Sequence, residues 1–121
     1  MIRHLSIAAL ALFAAAAPAG AAMTTGTFVA RASALRANPM AALTSPDLMV
    51  LKNEALAATN ALKAERAARK AAGKPPIACV PAGQSIGITE MLDGLAALSP
   101  ADQKLPLKDG YARVIAKRYP C

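Results

Sequence analysis

The sequence predicts an all-α fold: a small bundle of about four helices with short turns, stapled by one disulfide. Three observations point there. Apolar residues recur at helical spacing in several segments, and no stretch has the apolar–polar alternation of a strand. The pairs Ser45-Pro46 and Ser99-Pro100 have the chemistry of helix starts. A Ser hydroxyl accepts an N–H that the first turn leaves unpaired, and Pro suits the first helical position, where no N–H is needed. The third is the cysteine usage: the chain has only two, Cys79 and Cys121, behind what reads as an export signal.

Residues 1–22 carry Arg3 and His4, then an apolar run from Leu5 to Ala17, then Pro18 and the small-residue end Ala19-Gly20-Ala21-Ala22. This is the pattern of a cleaved secretory signal peptide. The run falls short of the ~20 apolar residues a bilayer span requires, and no Cys follows it for lipid attachment. The expectation is an exported protein without stable membrane insertion, starting at Ala22 or Met23. Residues 23–121 then form one domain. A domain this small has little core to spare, and in an oxidising compartment Cys79 and Cys121 are expected to bond to each other.

Phe28, Ala32 and Leu35 recur at i, i+4 and i+7, giving a short first helix that ends near Asn38 and Pro39. Met40 to Leu43 fits a single helical turn. The longest helix follows over residues 45–72, with Ser45 as cap, Pro46 in the first turn and Asp47 at the positive end of the helix dipole. Gly73 suits a left-handed C-terminal cap. Leu48, Leu51, Ala55, Ala58 and Leu62 form one apolar seam. Val50, Ala57, Ala61, Ala64 and Ala68 form a second stripe almost opposite, so this helix is expected to be packed on two sides and to lie centrally.

Residues 73–87 hold three Gly and three Pro and are expected to be an irregular loop tethered through Cys79. Ile88, Met91, Leu92, Leu95 and Leu98 mark the next helix, with Thr89 as its expected cap. Gly94 inside it costs about 1 kcal/mol against Ala unless another helix approaches closely there. Ser99, Pro100 and Asp102 open a short turn with capping-box spacing. Leu107, Tyr111, Val114 and Ile115 make the last helix, stopped by Pro120.

The composition excludes several chemistries. The one His, His4, lies in the signal segment, which removes His-based acid–base catalysis and most zinc sites from the mature chain. There is no Trp, and Phe28, Tyr111 and Tyr119 are the only aromatics of the mature chain, a poor supply for stacking on nucleic acid. No phosphate-binding Gly loop or Ser nucleophile motif occurs. Glu90, Asp93 and Asp102 read as helix-start residues and not as a hydrolytic pair. No catalytic residue, metal ligand or cofactor is therefore assigned. Lys and Arg number 14 against 7 Asp and Glu, which favours an acidic partner.

The sharpest local feature is the end of the long helix, where the Leu seam continues from Leu62 into Arg66 and Arg69, flanked by Lys63, Lys70 and Lys74. Cations suit a helix C-terminus, and Glu65 is spaced to pair with Arg69. The functional expectation is a solvent-exposed basic prong, with Arg66, Arg69, Lys70 and Lys74 as partner-binding residues. Arg113, Lys117 and Arg118 are expected to form an ordinary solvated face.

Three blocks carry a resemblance to a known family. The first is Thr27-Phe28-Val29-Ala30-Arg31-Ala32 with Leu35. The second is Pro39-Met40-Ala41-Ala42-Leu43 with Ser45, Asp47, Leu51 and Glu54. The third is Ala72-Gly73-Lys74-Pro75-Pro76 with Cys79 and Pro81, answered by Tyr119-Pro120-Cys121. In order and spacing they resemble the Rap/Tai immunity proteins, which protect Gram-negative bacteria from type VI secretion amidase effectors. Asn38 stands where such relatives would carry Gly. The resemblance implies a periplasmic helical bundle with a Cys79–Cys121 bridge. Its partner would be a papain-like peptidoglycan amidase whose cleft it blocks, and homodimers occur among relatives. Two other readings share the size and helical class: a small acid-stress chaperone of the periplasm, and a basic cell-envelope binding protein. The first would need many groups that titrate between neutral and acid pH, which this chain lacks.

Overall fold

The computed structural model describes residues 22–121; the signal-peptide expectation for residues 1–22 falls almost wholly outside them. The helices, in chain order, are α1 (Thr25–Ala37), α2 (Pro39–Ala42), α3 (Pro46–Ala71), α4 (Ile88–Ala96), α5 (Pro100–Gln103) and α6 (Leu107–Arg118). The all-α expectation holds, with four longer helices and two single turns. Among the described residues there is no strand, only one isolated antiparallel bridge between Thr24 and Pro106.

The helix ends follow local chemistry. Thr24 Oγ1 accepts from Thr27 N–H, Ser45 Oγ from Asp47 N–H and Ser99 Oγ from Asp102 N–H. Pro46 and Pro100 stand in the first turns behind these caps. At the end of α3, Gly73 adopts φ +68°. Its N–H donates to Lys70 O at 3.1 Å, while Lys74 N–H donates to Arg69 O at 2.9 Å. These two bonds make a Schellman motif. Asn38 has φ −138°, a conformation that does not call for Gly, and its Oδ1 accepts from Ala41 N–H to cap α2. The cap of α4 differs from expectation. The helix starts two residues early, at Ile88, so Gly87 and not Thr89 is its N-cap, with no side-chain bond.

The core is small. Phe28 and Ala32 of α1, Leu51 and Ala58 of α3, Leu95 of α4, and Leu107 and Val114 of α6 are buried, and Tyr111 meets Phe28 edge-on. Burial pushes the Tyr111 phenol above its ordinary value. Thr25 is the buried polar residue of this core, and its Oγ1 donates to Leu105 O at 3.0 Å. The N-terminal segment is pinned by two further bonds, Thr25 N–H to Leu105 O at 2.8 Å and Leu107 N–H to Met23 O at 3.0 Å.

Two packing expectations are corrected. First, α3 is not a two-sided central helix. It packs on α6 and α1 through Leu51 and Ala58, whereas Val50, Ala57, Ala61, Ala64 and Ala68 are all exposed. An Ala stripe has too little apolar area to force burial, roughly one methyl per residue. Second, Ile88 is turned outward at 82% exposure, while Met91, Leu92, Leu95 and Leu98 pack inward.

Gly94 does meet a neighbouring helix. A Cβ there would lie 2.7 Å from Val114 Cγ1. The helix-propensity gain of Gly94→Ala, about 1 kcal/mol, is outweighed by overpacking of about 1–3 kcal/mol. We expect a net loss of roughly 1 kcal/mol by urea unfolding; a gain in stability would contradict this packing.

Candidate functional site

Cys79 and Cys121 are bonded, with their Cα atoms 4.9 Å apart. The bridge is backed by Cys79 N–H, which donates to Tyr119 O at 2.9 Å. Together they fix the middle of the loop after α3 against the end of α6. Beyond Cys79 the loop turns at residues 81–84, where Gln84 N–H donates to Pro81 O across Gly83, whose φ is +77°.

This tether corrects the picture of a basic prong. The end of α3 does not stand alone in solvent, because the loop folds back along it. Pro76, Ile77 and Ala78 close a small hollow of about 40 Å³ with Leu62 and Arg66 of α3 and Ala112 and Ile115 of α6. Arg69 is half-buried, and its Nε donates to Pro75 O at 2.8 Å, so its role is to clip the loop. Glu65 reaches Lys108 of α6 at 3.5 Å instead of pairing with Arg69. Arg66, Lys70 and Lys74 remain exposed.

The face of Arg113, Lys117 and Arg118 is also modified. Arg118 Nε donates to Glu90 Oε1 at 2.8 Å, and its guanidinium lies 5.1 Å from the Tyr119 ring centre. Arg36 pairs with Asp93 at 3.1 Å, and Arg31 with Asp47 at 4.0 Å. Such surface pairs contribute about 0–1 kcal/mol each, but they decide which cations keep uncompensated charge.

A large concave feature lies beside α3. A groove of about 860 Å³ opens between α3 and the opposing surfaces of α1, α4, α6 and the loop. Leu48, Leu51, Ala55, Leu56 and Leu62 form one wall; Phe28, Leu35, Met91, Leu92, Tyr111 and Ile115 form the other, with Val80 and Ile86 at the loop end. It exists because α3 crosses α6 and α1 without closing on α4, and the small side chains of Ala55 and Thr59 leave the space unfilled. Four cations line it, Arg36, Lys52, Lys63 and Arg66, and no carboxylate does. Of these, Arg36 alone has an acidic partner within 4.0 Å among the described residues.

Of the four residues expected to bind a partner, only Arg66 lines this groove. Lys70 and Lys74 lie past it, and Arg69 is held by the loop. Lys63 reads from the sequence only as a flank of the basic helix end, and Lys52 and Leu56 do not stand out there. The signal available was Leu56 with Lys52 and Lys63 at i−4 and i+7, a short stripe beside the Leu seam. No family model, curated protein or solved structure matches the chain. No helix among the described residues is long and apolar enough to cross a membrane.

Proposed function

We propose that this protein is a periplasmic immunity protein that binds and blocks a papain-like peptidoglycan amidase delivered by type VI secretion, without catalysis of its own. The family part of the reading rests on the resemblance of the three sequence blocks. The observation that carries the binding part is the groove beside α3, apolar along its floor and rimmed by Lys52, Lys63 and Arg66 with no carboxylate. Its occupant is an apolar segment of the amidase flanked by carboxylates. Apolar burial supplies the affinity, and the rim cations steer association. Lys70 and Lys74 extend the same positive field beyond the groove. Met40, Leu43, Met49 and Val50 are exposed around the α2–α3 elbow, and this is the apolar surface a second copy would cover in a homodimer.

The test is a titration against the cognate amidase at two ionic strengths, with peptidoglycan cleavage as the second readout. The native protein inhibits stoichiometrically. Lys63→Ala/Arg66→Ala slows association on the order of tenfold at low salt and flattens the salt dependence. Leu56→Ser, at a position 60% exposed in the free protein, weakens binding by roughly tenfold or more with little change in stability. Sedimentation of the free protein reports self-association. Amidase binding that ignores all three substitutions would remove the groove from the interface. No binding to any amidase, with binding to anionic envelope polymer or with suppression of aggregation at low pH, would favour the envelope-binding or chaperone reading.

A further inference from the structure

We propose that export processing cuts between Ala22 and Met23, and that the α-ammonium thereby created on Met23 pairs with Glu54 of α3. The proposal rests on the reading of residues 1–22 as a signal peptide. The small-residue end Ala19-Gly20-Ala21-Ala22 allows cleavage after Ala21 or after Ala22, since either places small residues one and three positions before the cut. The structure discriminates between them.

Among the described residues, Met23 is the first that the fold holds. Its carbonyl accepts from Leu107 N–H at 3.0 Å, Thr24 bridges to Pro106, and its side chain packs half-buried against the core. These contacts leave its nitrogen 3.3 Å from Glu54 Oε2. Glu54 has no other assigned work. Of the 7 Asp and Glu side chains, Asp47, Glu65, Glu90, Asp93 and Asp109 each have a cation within 4.0 Å, leaving Glu54 and Asp102. Asp102 lies in the first turn of α5, where a negative charge suits the helix dipole. Glu54 stands in the middle of α3, with Val50, Leu51, Ala57 and Ala58 as its helical neighbours at three and four residues. Among the described residues no side-chain cation reaches it, and the Met23 nitrogen does.

Hydrolysis of the Ala22–Met23 peptide bond by a signal peptidase takes up one water. The oxygen goes to the Ala22 carboxylate, and the Met23 nitrogen becomes an ammonium with three donors and a full charge. A bond from a neutral N–H to a carboxylate thus becomes one between two ions. A chain that starts at Ala22 keeps the amide at this point and places its ammonium one residue farther out.

Intact-mass measurement of the exported protein is the first test; the expected N-terminus is Met23. A start at Ala22 or elsewhere overturns this inference and leaves export intact, whereas an unprocessed chain overturns the export reading as well. The second test is a cycle of four oxidised proteins, starting at Met23 or Ala22 and carrying Glu54 or Glu54→Gln, unfolded in urea. Glu54→Gln is expected to lower the unfolding equilibrium constant's preference for the native state by about threefold in the Met23-start chain. High salt should reduce that loss, and the Ala22-start chain should be nearly unaffected. Equal losses in both backgrounds would show that Glu54 acts as a simple acceptor and would overturn the ion pair.

Discussion

Cys79→Ser is expected to lower the unfolding free energy by about 4 kcal/mol, the chain-entropy value for a closed loop of 42 residues. Few other contacts hold the segment that Cys79 anchors. Between Ala71 and Ile88 there is no helix, and the tertiary ties of that stretch are the Arg69 clip to Pro75, the Cys79 N–H bond to Tyr119 and the packing of Ile77, Ala78, Val80 and Ile86. Hydrogen exchange should therefore speed up at residues 77–86 and at the end of α6, while α1 and α4 change only with global stability. Because the two thiols act as one unit, Cys79→Ser/Cys121→Ser should be no less stable than either single variant. A loss below about 1 kcal/mol would mean that the bridge merely decorates a loop held by other means.

The second large effect is expected at Gly110. This residue is buried on α6 beneath Thr25, and an added Cβ would overlap Thr25 Oγ1 and lie 2.9 Å from Thr25 Cγ2 and 3.2 Å from Leu95 Cδ2. Neither neighbour has room to yield. Thr25 is fixed by its backbone and side-chain bonds to Leu105, and Leu95 is fully enclosed. With overpacking at the upper end of its usual range, about 3 kcal/mol, and a helix preference for Ala that offsets about 1 kcal/mol, Gly110→Ala should cost roughly 2 kcal/mol net. Thr25→Ala removes both atoms that clash. The double variant should therefore be more stable than the sum of the two single losses by about 1 kcal/mol or more. Strict additivity in denaturant unfolding would show that the helices move apart instead.

What was legible in the chain was what short-range chemistry decides. Ser45-Pro46, Ser99-Pro100 and Gly73 act within their own turn, and the seam through Leu51 and Ala58 needs only the helical period. What was not legible depends on which helix lies beside which. Glu65 is equally well spaced for Arg69 in its own helix and for Lys108 in α6, and only the α3–α6 crossing selects Lys108. Arg69 reads as one more helix-end cation until the loop returns and offers it the Pro75 carbonyl. The Ala stripe of α3 looks apolar in a count, yet methyl groups are tolerated in water at little cost. The groove was hidden for a related reason: it is the place where small residues fail to fill a gap, and a gap has no residue of its own.

The pairing of Thr25 with Leu105 has a consequence for the order of assembly. These residues are 80 positions apart, and the contact closes nearly the whole described chain into one loop. Such closures carry a large entropic penalty and come late, after local helices have formed and begun to dock. Thr25 has no hydrogen-bond partner until residue 105 is in place, so α1 can meet α3 and α4 before its N-terminal end is locked. Substitutions at Thr25 or Leu105 should accordingly raise the unfolding rate and leave the folding rate almost unchanged. The first helix of the sequence is among the last to be locked in place.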